Sequence, residues 1–390
     1  MNKTIKIAYC IPSLYYPGGM ERVLTLKANY FAENFGYNIH IILTDGKNKK
    51  PYYELHPSIT IHQLDINYDE MYGLSLYKKI IGYIIKQKLF KKRLTECLFR
   101  IQPDITISLL RRDINFINNI KDGSVKIGEI HLNKSNFRDF NNNNIPTFLQ
   151  HIIQRFWMNQ FVRKIRKLER FIVLTHEDAA EWTELKNITV IHNPLPFFPE
   201  RQSNLLKKQV IAVGRYMPQK GFDLLIRAWS IVNKQHPDWI LRIYGDGMRE
   251  ELQQQIDTIG IDSSCILEHT TPNIIDKYCE SSIFVLSSRY EGFGMVIIEA
   301  MSCGVPPVSF TCPCGPRDII TNNENGILVK NGDIKDLAQK ICFLIDHKDI
   351  RIKMGHQARA DVIRFNIDNI AKKWKDLFES SIKKKNENQQ

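Results

Sequence analysis

In "SSRYEGFGMVIIEAMSC" seven residues separate two carboxylates, Glu291 and Glu299. Glu291 sits in a polar, glycine-bearing loop, and Glu299 interrupts an otherwise apolar, helix-like run. A carboxylate offers two acceptor oxygens and can take both vicinal hydroxyls of a ribose. Helix side chains lean towards the N-terminus, so Glu299 can reach back to the loop end. Glu291 could accept hydroxyls of a second sugar ring. Arg215 and Lys220 follow the strand-like "VIAV"; the planar fork of one and the point charge of the other could clamp a diphosphate. The amides of Gly294 and Met295 open the helix-like run, where unpaired N–H groups and the helix dipole favour an anion. Such a set could stand in for a metal in stabilising a departing nucleotide diphosphate. Taken singly, the two cations read as solvated loop residues, and a lone helix glutamate as one that pairs with an arginine or faces water.

These residues need elements that bring them together. The chain has two similar beginnings. "TIKIAYCIP" reads as a strand, "SLYYPGGMER" as a glycine-containing loop, "VLTLKANYFAENFG" as a helix and "YNIHIILTD" as the next strand. "QVIAVGR", "YMPQKGFD", "LLIRAWSIVNKQHPD" and "WILRIYGDG" repeat that order in the second half. Strands alternating with amphipathic helices build parallel sheets. The expected fold is therefore α/β, with two doubly wound, Rossmann-like domains facing a cleft. Expected boundaries are 1–192 for the first domain, 193–208 for a linker, 209–365 for the second domain, and 366–390 for a last helix with a frayed polar tail. Ligands of open parallel sheets lie beyond the carboxyl ends of the strands. Gly18 and Gly19, His131, the Gly214–Lys220 loop and the loop Glu291, Gly292, Phe293, Gly294 all occupy such positions.

The dinucleotide fingerprint is missing: "PSLYYPGGMER" lacks GxGxxG, and "GFGMVI" keeps only its first two glycines after a late strand. There is no GxxxxGK[ST] loop and no Asp-x-Asp pair to hold a metal against a diphosphate. The eight cysteines include no CxxC pair; Cys312 and Cys314 in "TCPCGP" come closest and are expected as reduced thiols. No apolar run approaches the roughly 20 residues that span a bilayer, and the start shows no secretory pattern, so a cytoplasmic protein is expected. The net charge of +12 asks for an anionic partner: nucleic acid, membrane or phosphorylated substrate. Residues 77–93 carry seven Lys or Arg and no acid, with Ile80, Ile81, Ile84, Ile85 and Leu89 at helical spacing. Residues 151–170 carry six, interleaved with Phe156, Trp157 and Phe161. Both segments read equally as membrane-surface helices or as solvated faces packed on a core.

Together the motifs resemble retaining GT-B glycosyltransferases of family 4 (glycosyl transferases group 1). "EGFGMVIIE" looks like that family's E-x7-E motif, "VGRYMPQKGFDLLIRAW" its GR…KGxxxLIxA segment, and "PGGMERV" its N-terminal Gly-Gly-x-Glu-Arg loop. "VLTHEDAAEW", "VIHNPL", "YGDG", "EAMSCGVPPVSF", "CGPRDII" and "NGILV" match in order and spacing. The resemblance covers nearly the whole chain, most closely 209–329. It implies that Arg215 and Lys220 bind the donor diphosphate beside Gly214, that Glu299 binds the ribose, and that Glu291 holds the donor sugar. Phe293, Gly294, Met295 and Val296 would present backbone to sugar and phosphate, with Gly18 and Gly19 approaching the phosphates and His131 at the sugar–acceptor junction. It also implies that the last helix crosses back to the first domain. "LEHTTPNII" departs from the family near the base, at His269 to Thr271, and Glu129 or Asn133 could share the role of His131.

The resulting expectation is a metal-independent, cofactor-free, retaining transferase. It would move a hexosyl or N-acetylhexosaminyl group from a nucleotide diphosphate-sugar, UDP-linked by preference, to a hydroxyl of a lipid-linked or cell-surface polysaccharide acceptor. The enzyme is expected on the cytoplasmic face of the membrane, held by the two basic segments. The alternatives are a GT-B sugar-nucleotide epimerase or phosphorylase, or a basic nucleic-acid-binding protein, which the matched site motifs disfavour.

Overall fold

The computed structural model describes residues 4–71, 73, 75–137 and 147–387. The chain divides into two compact units. The first comprises Met1–Leu174, Ala179–Pro194 and Ile367–Gln390, and the second Thr175–Asp178 and Leu195–Asn366.

The strands of the first unit are β1 (Lys6–Ile11), β2 (Asn38–Leu43), β3 (Thr60–Gln63), β4 (Ile105–Ser108), β5 (Val125–Glu129), β6 (Arg170–Val173) and β7 (Ile188–Val190). They form one parallel sheet in the order β3-β2-β1-β4-β5-β6-β7. Its helices before the second unit are α1 (Gly19–Phe35), α2 (Leu76–Ile101) and α3 (Thr147–Ile165). Alternating residues of β1 face opposite layers. Ile7, Tyr9 and Ile11 pack with Leu24, Ala28 and Phe31 of α1, whereas Ala8 and Cys10 pack with Leu94 and Leu98 of α2.

Residues 175–178 enter the second unit at the start of α4 (His176–Glu181). Its strands are β8 (Gln209–Val213), β9 (Ile240–Tyr244), β10 (Cys265–Glu268), β11 (Ile283–Leu286), β12 (Pro307–Phe310) and β13 (Ile327–Val329), parallel in the order β10-β9-β8-β11-β12-β13. The helices are α5 (Phe222–Gln235), α6 (Arg249–Ile259), α7 (Ile274–Cys279), α8 (Met295–Ser302), α9 (Pro316–Ile319), α10 (Ile334–Asp346) and α11 (Lys348–Asp361). Segment 193–208 holds no helix or strand, and from Leu195 it lies on the second unit. Leu195 N donates to Phe365 O at 2.7 Å, and Ser203 Oγ to Ser281 O at 2.6 Å.

The last helix, α12 (Ile367–Glu387), belongs to the first unit. Ile370, Ala371, Trp374, Leu377 and Phe378 recur every three or four residues and are buried against α1 and the sheet. Phe378 meets Phe31 edge-on, with centroids 5.7 Å apart. Full burial of a side chain such as Ile370, Leu377 or Phe378 is worth about 1.5–3 kcal/mol. Of the tail expected to fray, residues 383–387 are helical within α12, and residues 388–390 lie outside the described residues. Lys384 Nζ reaches Glu169 Oε1 at 2.8 Å and Lys385 donates to Gly123 O, so the polar end is pinned.

Candidate active site

In the second unit β8 is followed by β9 on one side, and the chain later returns to β11 on the other. Loops leaving β8 and β11 therefore diverge above a crevice, the switch point where open sheets bind ligands. The structure brings these two loops together. Arg289 N donates to Gln219 O at 2.8 Å, Gln219 Nε2 to Tyr290 O at 3.1 Å, and Ser287 Oγ to Lys220 O at 3.0 Å. Arg289 forks onto Asp223 at 2.8 and 2.7 Å, and hydrogen bonding from this guanidinium holds the Asp223 carboxyl below its ordinary range. Gly221 closes the approach: at φ +61° a Cβ there would stand 2.1 Å from Ser287 O.

Lys220 and Glu291 meet inside this frame. Nζ lies 2.7 Å from Oε1, with side chains 14% and 8% exposed. Ser288 Oγ donates to the same Oε1 at 2.6 Å, and Glu291 N to Pro313 O at 2.7 Å. The lysine stem also packs on Gly214, where a Cβ would come within 3.2 Å of it. Arg215 is exposed, so the expected cationic pair is one arginine open to solvent and one lysine already holding a carboxylate. Gly294, at φ +95°, caps α8, whose first residues Met295 and Val296 are half-buried. Glu299 is 5% exposed, and Tyr278 Oη donates to its Oε2 at 3.2 Å. Its carboxylate is buried and does not face water. Near the expected base contacts, hydrogen bonds from Thr270 Oγ1 (2.5 Å) and His269 Nδ1 (2.7 Å) hold Asp246 at about 2.

In the first unit Gly18 precedes α1, and Gly19 opens it. The loop expected over "SLYYPGGMER" is thus half helix: Arg22 N already donates to Gly18 O at 3.0 Å. His131 follows β5, whose last residue, Glu129, is 1% exposed. His131 Nε2 stands 3.1 Å from Glu129 Oε1, and Lys27 of α1 bonds the same oxygen. Burial alone would raise Glu129, but the charge of Lys27, then of His131, outweighs it and holds the carboxyl at about 2.

The sequence reading missed Ser288, Tyr278, Arg289 and Lys27. "SSRYEG" carried a signal for two of them, serine and arginine in the glutamate's own loop. Tyr278 reaches Glu299, and Lys27 reaches Glu129, each from a helix distant in sequence, and nothing local flags them.

Residues 197–361, the stretch holding every second-unit residue above from Gly214 to Glu299, match the family described as glycosyl transferases group 1. The chain carries a group 1 glycosyltransferase domain. An uncharacterized glycosyltransferase of Haemophilus influenzae is 28% identical over 96% of this chain and 99% of its own length. The poly(ribitol-phosphate) alpha-N-acetylglucosaminyltransferase of Staphylococcus aureus is 27% identical over 76% of this chain, which spans 61% of that relative. The crystal structure of an S. aureus TarM mutant with fondaparinux, alpha-GlcNAc-glycerol and UDP superposes on 96% of this chain and 100% of that one, with a TM-score of 0.75 at 17% identity. That likeness establishes the GT-B fold.

Proposed function

We propose that this glycosyltransferase moves a hexosyl or N-acetylhexosaminyl group from a UDP-linked donor to a hydroxyl of a lipid-linked or cell-surface polysaccharide acceptor. The observation that carries the reading is the Lys220–Glu291–Ser288 cluster at the β8/β11 switch point, beside the N-terminus of α8. Lys220 and Arg215 neutralise the diphosphate with the amides of Gly294 and Met295, so the reading needs no metal. Glu299, steadied by Tyr278, accepts the ribose hydroxyls, and Glu291 those of the donor sugar. Gly214, Gly292, Phe293 and Val296 line the path with backbone. Gly18 and Gly19 approach the phosphates, and His131 meets the sugar at the acceptor. The S. aureus poly(ribitol-phosphate) transferase and the TarM complex with UDP favour UDP and a polymeric acceptor.

Transfer proceeds with retention, by front-face attack. The anomeric carbon's bond to the diphosphate oxygen breaks, and its bond to the acceptor oxygen forms on the same face. The acceptor proton passes to the departing diphosphate oxygen. A thermal-shift panel of UDP, GDP, ADP and their sugars tests the nucleotide site, because a ligand at 100 times its Kd stabilises by about 2.7 kcal/mol. A UDP-selective shift that Glu299→Ala abolishes is expected. A shift undiminished in the variant would move the nucleotide elsewhere.

The acceptor's carrier is an anionic membrane surface, met by α2 and α3. Ile80, Ile81, Ile84 and Ile85 on α2 are exposed, as are Phe148, Ile152, Ile153 and Phe156 on α3. The expected aromatic set is partly corrected: Phe161 is buried in the core and Trp157 packs against it, leaving Phe156 outward. The two helices border one surface, since Asn115 takes Lys164 Nζ at 2.7 Å and donates to Tyr83 Oη at 3.1 Å. Apolar side chains beside dense positive charge suit an anionic lipid interface. Flotation with anionic liposomes is expected to fail on neutral lipid and in Ile84→Asp; equal flotation on both lipids would remove this surface from the reading.

A further inference from the structure

Lys27 and Glu129 form an ion pair in which both side chains are 1% exposed. Such pairs seldom stabilise a core more than apolar packing of the same volume would. This one is also heavily supported. Lys27 Nζ sits over the Trp374 ring of α12, 4.3 Å from its centroid. Glu129 ends β5 with its other oxygen, Oε2, buried and without a hydrogen-bond partner among the described residues. Burial pushes the Lys27 ammonium down, and Glu129 opposes it. The neighbour with chemical use is His131, whose Nε2 lies 3.1 Å from Oε1. The nitrogen is off the line of a well-aligned hydrogen bond, so it chiefly meets the charge of the carboxylate.

We infer that Glu129 is a positioning residue that selects the tautomer of His131, with Lys27 as its buried counter-charge. This rests on the reading that His131 meets the reacting sugar. A carboxylate facing Nε2 favours the tautomer with its proton there, as carboxylates behind catalytic and metal-bound imidazoles do. The lone pair of Nδ1 is then left to accept a hydrogen bond from a hydroxyl of the donor sugar or acceptor. Because Lys27 balances Glu129, the carboxylate selects a tautomer without adding net charge to the pocket. The ring thus offers an acceptor to a neutral hydroxyl, and a saccharide hydroxyl rather than a phosphate is the group it suits.

The test uses the full chain labelled with 15N-histidine. Two-bond proton–nitrogen correlations of His131, assigned by comparison with His131→Ala, are expected to show a proton on Nε2. Single substitutions strand a buried charge and put folding at risk, so the second arm is the double variant Lys27→Met/Glu129→Met, which keeps the volume and removes both charges. There the correlations are expected to move to the Nδ1-protonated or a mixed pattern. Turnover should fall about 10–100-fold, with donor KM within about threefold. Lys27→Met/Glu129→Gln, which strands no charge and whose amide oxygen can still accept, should recover part of that loss. A wild-type proton on Nδ1, or a double variant with an unaltered tautomer, would overturn the inference. Wild-type turnover in His131→Ala would instead overturn the site reading beneath it.

Discussion

Lys220→Met is expected to lower turnover by about 10²–10³-fold, the usual cost of removing one group that stabilises transition-state charge. Two losses add. The departing diphosphate loses a cation, and Glu291 loses the partner held at 2.7 Å. Leaving a largely buried carboxylate unpaired costs up to about 3 kcal/mol, and Ser288 Oγ, donating at 2.6 Å, offsets only part of it. A fall in Tm should therefore accompany the fall in rate. Glu291→Gln separates the two effects, because an amide can still accept from Ser288 and Lys220 while carrying no charge. It should lose less Tm than Lys220→Met and still lose turnover. Initial rates with saturating donor decide the matter; either variant within threefold of wild type would remove this pair from the chemistry.

Gly315→Ala should be the most damaging single methyl in the second unit. Gly315 adopts φ +109°, and its Cβ would stand 1.9 Å from Phe293 O and 2.5 Å from Phe293 C. Both are backbone atoms, so no side chain can turn aside. The added strain is about 1–3 kcal/mol for the conformation alone, with a similar overpacking cost. Relief must come from the 293–294 loop, which leads into α8. The expected result is a clear drop in Tm together with loss of nucleotide-induced stabilisation. Gly19→Ala is the contrasting case. Nothing lies within 4 Å of its Cβ position, and alanine favours a helix, so stability should hold or rise by up to about 1 kcal/mol. Any loss of activity there would report a ligand passing close to the backbone. A Gly315→Ala protein as stable as wild type would refute the backbone account.

The fold was legible because its signal is local. Most strands among the described residues coincide with short apolar runs bounded by glycine, proline or polar residues, such as "VIAV" before Gly214 and "FVL" before Ser287. The site was legible where a loop carried several of its residues in one stretch, as in "SSRYEGFG". It was opaque where distant elements converge. Lys27 sits in "VLTLKANYF" at what looks like a solvated helix position, yet it is buried between Glu129 and the Trp374 ring. Glu299 gives no hint of Tyr278, which reaches it from α7. The exposure of α2 and α3 is a balance the sequence leaves open: Phe90, Leu94 and Leu98 turn inward, while Ile80, Ile81, Ile84 and Ile85 on the same helix stay outside.

The position of α12 also sets an order of events during synthesis. Its apolar stripe completes the packing of α1, yet residues 195–366 of the second unit must be translated before it emerges. At 5–20 residues per second that is roughly 10–30 s. Throughout that interval the nascent first unit carries an open slot where Trp374 and Phe378 belong, and Lys27 lacks the ring that shields it. Folding of the first unit can start early but can finish only after the second has been made. The ribosome thus exposes an apolar groove for roughly 10–30 s, and a chaperone or an early-folding second unit would protect the chain most in that window.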